Sequence, residues 1–90
     1  MTGERPSYLP PADPTARTFP SSWRDAAVRQ LFCAERGGVE CPHCKRVFKR
    51  PAELRLLQAD HIKAYVRGGV TSWENLQLLC FACNASKGAQ

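Results

Sequence analysis

Asp60 and His61, adjacent in Ala59-Asp60-His61-Ile62, place a carboxylate beside an imidazole. A carboxylate is a hard oxygen ligand for a divalent cation, and an imidazole titrating near ~6.5 can accept a proton at neutral pH. Two Cys-x-x-Cys pairs bracket this dipeptide, Cys41/Cys44 before it and Cys80/Cys83 after it. Two residues between thiolates let both reach one tetrahedral ion at ~2.3 Å, and four sulfurs leave no open coordination position. The cysteines therefore predict a structural Zn²⁺ site. The Asp-His pair is the candidate for metal-assisted acid–base chemistry.

The elements that must position these groups follow from local patterning. The first twenty residues carry five prolines (Pro6, Pro10, Pro11, Pro14 and Pro20) and little apolar periodicity, so 1–21 is expected to be a proline-rich, flexible arm. Apolar residues at Trp23, Ala27, Leu31 and Ala34 recur at helical spacing. Ser22 with Asp25 approximates a capping box, and Gly37-Gly38 offers a stop, so a helix is predicted over 22–35. Cys33 falls on that helix without a partner two residues away and is expected to be a free thiol.

The stretch 39–48 alternates weakly around Cys41-Pro42-His43-Cys44 and predicts two short strands joined by a knuckle. Pro51 suits the first position of a short helical turn. The core, 56–88, is predicted as a strand ending in Asp60-His61, a loop through Gly68-Gly69, a turn at 72–75, and a buried strand from Leu76-Gln77-Leu78-Leu79. A helix begins near Cys80 and is closed by Gly88. Together these give a small α+β domain over 22–90, with an extra N-terminal helix.

Composition bounds the function. A chain of 90 residues is one domain at most, small enough that a metal staple is expected to supplement its core. Thirteen Lys and Arg against eight Asp and Glu give a net charge of +5, which favours a polyanionic partner. No signal-peptide pattern or membrane-length apolar run is present, so a cytoplasmic protein with reduced thiols is expected and a membrane partner is not.

Other uses of these residues fit less well. Cys41-Pro-His-Cys44 followed by Phe48 and Leu54 copies half of a Cys2His2 finger, but the two histidines are missing. A nucleobase deaminase needs an open zinc position and a His-x-Glu, which Asp60-His61-Ile62-Lys63 does not supply. Thioredoxin-like redox chemistry lacks its βαβ context. The alternative that stays open is a non-catalytic zinc module binding nucleic acid or protein.

The order Asp60-His61-Ile62, Gly68-Gly69, then Asn75-Leu76-Gln77-Leu78-Leu79-Cys80-x-x-Cys83-Asn84-x-x-Lys87-Gly88 resembles the HNH endonucleases, in particular their four-cysteine, zinc-stapled branch. The resemblance covers about 39–88. It implies a ββα-metal fold and metal-dependent hydrolysis of DNA phosphodiester bonds. By position it makes His61 the general base, Asp60 and Asn84 the protein ligands of a catalytic Mg²⁺ or Mn²⁺, and Asn75 the brace of the interstrand loop that orients His61. Asn84 replaces the family's final histidine, making an H-N-N variant, and Ala64 stands where many members have proline.

Lys87, Arg67, Lys63 and Arg46, with Lys49, Arg50 and Arg55 nearby, are candidate nucleic-acid contacts. Such contacts go mainly to phosphates of double-stranded DNA and position without specifying sequence. A homodimer or larger assembly would let single active sites cut both strands.

Overall fold

The computed structural model describes residues 1–87, so the expected closing Gly88 lies outside the described residues. Among the described residues three helices, α1 (Ser21–Leu31), α2 (Pro51–Leu54) and α3 (Phe81–Lys87), accompany two antiparallel hairpins. The first hairpin pairs β1 (Val39–Glu40) with β2 (Val47–Phe48), and the second pairs β3 (Leu57–His61) with β4 (Leu76–Cys80). Single 3₁₀ turns at Tyr65–Arg67 and Trp73–Asn75 shape the β3–β4 loop. The small α+β class and the β3–β4–α3 unit agree with the sequence expectation. No helix among the described residues is long and apolar enough to cross a membrane.

The β3–β4 register pairs Leu57 with Cys80, Ala59 with Leu78, Asp60 with Gln77 and His61 with Leu76. Because strand side chains alternate, one face carries Leu57, Ala59, His61, Leu76 and Leu78, and the other Gln58, Asp60, Gln77 and Leu79. The first face belongs to the core, where Leu57, Leu76 and Leu78 are buried with Trp23, Ala26, Ala27 and Trp73. Trp23 and Trp73 meet edge to face, 6.0 Å between centroids. The second face lies under α3, whose Asn84 and Lys87 side chains bond to Gln58 and Asp60.

The first helix differs from its expected span of 22–35. It begins at Ser21 after Pro20, with no side-chain cap from Ser22, and Phe32 leaves the helix with extended backbone at ψ 117°. Cys33 is therefore not helical: its N–H donates to the Gly38 carbonyl at 2.8 Å in an isolated bridge. Gly38 packs so closely on β2 that a Cβ there would stand 2.2 Å from the Phe48 carbonyl oxygen. This strand-like pairing feeds the chain into β1 and overrides one further turn of helix. The buried stripe accordingly ends at Ala27, and Leu31 and Ala34 are exposed.

On its other side α1 is tied to the hairpin by Arg24, which donates to the carbonyls of Leu54 and, at 3.1 Å, Leu57. The proline-rich arm, expected to be flexible, forms turns without helix or strand and is packed. Leu9 is buried, Trp23 Nε1 donates to Pro10 O at 2.7 Å, and Thr71 N donates to Pro14 O at 2.8 Å. Proline fixes φ, so an arm rich in it loses little backbone freedom when it docks.

In the β3–β4 loop, Gly69 N donates to Ala64 O at 3.0 Å. A Cβ on Gly69 would fall 1.8 Å from the Lys63 carbonyl oxygen, so the backbone must shift to admit one. Gly69→Ala should destabilise the domain by about 1–3 kcal/mol, the usual cost of forced overpacking. Denaturant unfolding checks this, and an unchanged midpoint would show that the loop yields freely.

Candidate active site

Two groups of functional side chains sit at opposite ends of the β3–β4 hairpin. At one end are the cysteines. Cys41 follows β1, and a tight turn brings Cys44 round beside it: Lys45 N donates to Cys41 O at 2.9 Å while Lys45 adopts left-handed φ, 68°. Cys80 is the last residue of β4 and Cys83 lies in α3. Their four sulfurs all lie within 4.8 Å of one another, with Cys44 Sγ and Cys80 Sγ 3.9 Å apart. A tetrahedral ion with ~2.3 Å bonds to sulfur requires sulfurs about 3.8 Å apart, so the cluster fits Zn²⁺.

The thiols are already differentiated. Burial opposes ionisation of Cys41, but N–H groups of Cys44, Cys80 and His43 outweigh it and hold the thiol down to about 6. Cys83 is pushed up to about 12 by its hydrogen bond to Cys80, by burial and by the other cysteines. A cation is the natural means of letting all four ionise together. Cys33 is half-buried and stands outside this cluster.

At the other end is the polar face under α3. Asp60 Oδ2 accepts from Lys87 Nζ at 2.5 Å and from Gln77 Nε2 at 2.9 Å. Lys87 Nζ also reaches the His61 carbonyl at 3.1 Å, and Asn84 Nδ2 donates to Gln58 Oε1 at 2.6 Å. The structure thus brings Asp60, Asn84 and Lys87 into one layer between β3 and α3. Gln58 and Gln77 join them, and the sequence reading passed over both. Strand alternation was the available signal for Gln58, which stands two residues before Asp60 and hence on the same face, whereas Gln77 joins through its cross-strand pairing with Asp60. Carboxylate and amide oxygens in one layer are a donor set suited to Mg²⁺ or Mn²⁺. Beside this layer opens a cleft of about 280 Å³ whose lining includes His43, Ile62, Gln77 and Lys87.

His61 is the last residue of β3 and points to the opposite face from Asp60. Its ring lies against Phe19 of the arm, centroids 4.4 Å apart, and 7% of the residue remains exposed. Nε2 lies 2.8 Å from Thr71 Oγ1. Burial pushes the His61 pKa below its ordinary value, with Asp60 opposing the shift and Lys87 adding to it. The neutral ring, able to accept a proton, is favoured at neutral pH.

Asn75 closes the loop between the strands. Its Oδ1 accepts from Lys63 N at 2.8 Å, and its Nδ2 donates to Val70 O at 2.8 Å and Lys63 O at 3.2 Å. Ile62 N extends the ladder by donating to Asn75 O at 2.9 Å. One amide side chain therefore satisfies three backbone groups of the loop that follows His61.

The basic candidates separate in space. Lys63 and Arg67 are exposed on the interstrand loop. Arg46 is on the knuckle, stacked over Phe48 and paired with Glu53 at 3.2 Å. Lys87 is turned into the Asp60 layer.

A family model described as HNH endonuclease matches residues 41–90. The matched span starts at Cys41 and includes all four cysteines, Asp60, His61, Asn75 and Asn84. Searches of curated proteins and of solved structures returned no match. With the family model covering more than half of the sequence, and β3, β4 and α3 arranged around the residues of its motif, the chain belongs to the HNH endonuclease family.

Proposed function

We propose that this protein is a metal-dependent endonuclease that hydrolyses DNA phosphodiester bonds at the His61 end of the β3–β4 hairpin. The observation that carries the reading is the oxygen-rich layer in which α3 sets Asn84 and Lys87 over Gln58 and Asp60, one residue from a buried, neutral-leaning imidazole. Asp60 and Asn84 would hold the cation there, with Gln58 and Gln77 orienting them. A divalent cation supplies positive charge to the phosphoryl oxygen and to the leaving 3′-oxygen.

His61 takes the proton from the attacking water. Asn75 holds the loop, and hence the strand end, in place. Lys63 and Arg67 meet backbone phosphates on the exposed loop, and the cleft beside Lys87 and Gln77 accepts the strand. Contacts of this kind act on charge and shape and predict weak sequence preference in double-stranded DNA.

Purified protein with Mg²⁺ or Mn²⁺ should convert supercoiled plasmid to nicked or linear forms. Brief chelation should stop cleavage while bound zinc, followed by elemental analysis, stays in place. Supercoiled DNA left intact across metals and pH, by folded zinc-loaded protein, would return the chain to a non-catalytic binding module.

A further inference from the structure

His61 does not meet solvent or a carboxylate at Nε2; it meets a hydroxyl that is itself committed. Thr71 is 2% exposed, and its Oγ1 lies 2.5 Å from the Ala16 carbonyl oxygen and 2.8 Å from His61 Nε2. A carbonyl can only accept, so the single hydroxyl proton of Thr71 points at Ala16. Toward His61 the same oxygen has only lone pairs left. Nε2 must then carry the proton, and in the neutral ring Nδ1 is the free lone pair.

We propose that Thr71 is a positioning residue for His61, fixing through the Ala16 carbonyl the tautomer in which Nε2 is protonated and Nδ1 accepts. The proposal deepens the nuclease reading, on which the role of His61 as base rests, and brings a residue of the proline-rich arm into the site. Three further contacts keep the chain of bonds in register. Thr71 N donates to Pro14 O, the Tyr65 hydroxyl donates to Thr15 O at 3.2 Å, and Phe19 lies on the imidazole. The arm thus meets the site through both backbone and ring. Without the Ala16 carbonyl, the Thr71 hydroxyl could turn its proton toward the imidazole and favour the opposite tautomer, leaving no lone pair at Nδ1.

The test reads the tautomer directly, by nitrogen-15 spectroscopy of the imidazole in the zinc-loaded protein at about pH 8, above the ordinary histidine range. Wild type should show a protonated Nε2 and an unprotonated Nδ1. Thr71→Val, which keeps the shape and removes the hydroxyl, should mix the tautomers and lower kcat about 10- to 100-fold with little change in KM, a range typical of losing the partner that orients a functional histidine. Thr71→Ser should restore both spectrum and rate.

A wild-type ring protonated at Nδ1 would overturn the proposal, whether or not Thr71→Val folds. A Thr71→Val protein that keeps the wild-type tautomer and rate would do the same. If wild type cuts no DNA at all, the spectrum still decides the tautomer, so failure of the nuclease reading and failure of the wiring give different results.

Discussion

Replacing Cys83 with serine should leave residues 39–87 without a stable fold. The four cysteines join the β1–β2 knuckle to the end of β4 and the first turn of α3. β1 and β2 are two residues each, and α3 is seven among the described residues, so none has a stable existence alone. Structural zinc contributes apparent binding free energies of about 10–16 kcal/mol in small domains. The whole stability of a domain is only about 5–15 kcal/mol. Losing a buried ligand such as Cys83 therefore removes enough to unfold the chain, and Cys41→Ser should behave alike. Zinc stoichiometry and circular dichroism check this together. A Cys83→Ser protein that melts cooperatively at the wild-type temperature would show that the core holds without the metal.

The second large effect is on rate. His61→Ala should lower DNA cleavage by about 10²–10⁴-fold, the usual contribution of a positioned general base, or about 3–5 kcal/mol in the barrier. Zinc content should stay at the wild-type level, because the cysteines lie at the other end of the hairpin. Some stability is lost as well, since the substitution removes the Phe19 contact and the partner of Thr71. Thr71 keeps its bond to Ala16, so that loss should stay near 1–3 kcal/mol. The comparison must therefore be made well below the melting temperature. Undiminished cleavage by folded His61→Ala would remove His61 from the mechanism.

Parts of this architecture were legible in the sequence for physical reasons. Cys-x-x-Cys spacing is dictated by the reach of two thiolates to one ion, so the knuckle and the β4–α3 junction could be placed. The apolar run Leu76-Gln77-Leu78-Leu79 could only be buried, and β4 is there. Long-range pairing was not legible. The end of α1 is set by Cys33 meeting Gly38, and helical periodicity carries no trace of that bridge.

Asp60 and His61 read as a pair presented together, yet a strand that continues through both sends them to opposite faces. The site consequently has two walls, one polar under α3 and one lined by the arm. Gln77 and Thr71 were missed because their importance lies in which atoms they touch across the fold, and a single sequence does not display register. The arm showed its prolines but not its docking, because Leu9, Pro10, Pro14, Ala16 and Phe19 carry no motif.

The bond between Thr71 and Ala16 spans 55 positions of sequence, and the Cys44–Cys80 sulfur contact spans 36. Contacts so distant in the chain form late, since loop closure must precede any stabilisation they bring. During synthesis Ala16 and Phe19 emerge long before Thr71 and His61 exist to receive them. A nascent arm with strand-like sequence would be an open edge for other chains throughout that interval. Prolines at 6, 10, 11, 14 and 20 lack the N–H that edge pairing needs, so the waiting segment is protected by its own composition. The same residues that leave the arm without secondary structure let it wait, unpaired, for Thr71 and His61.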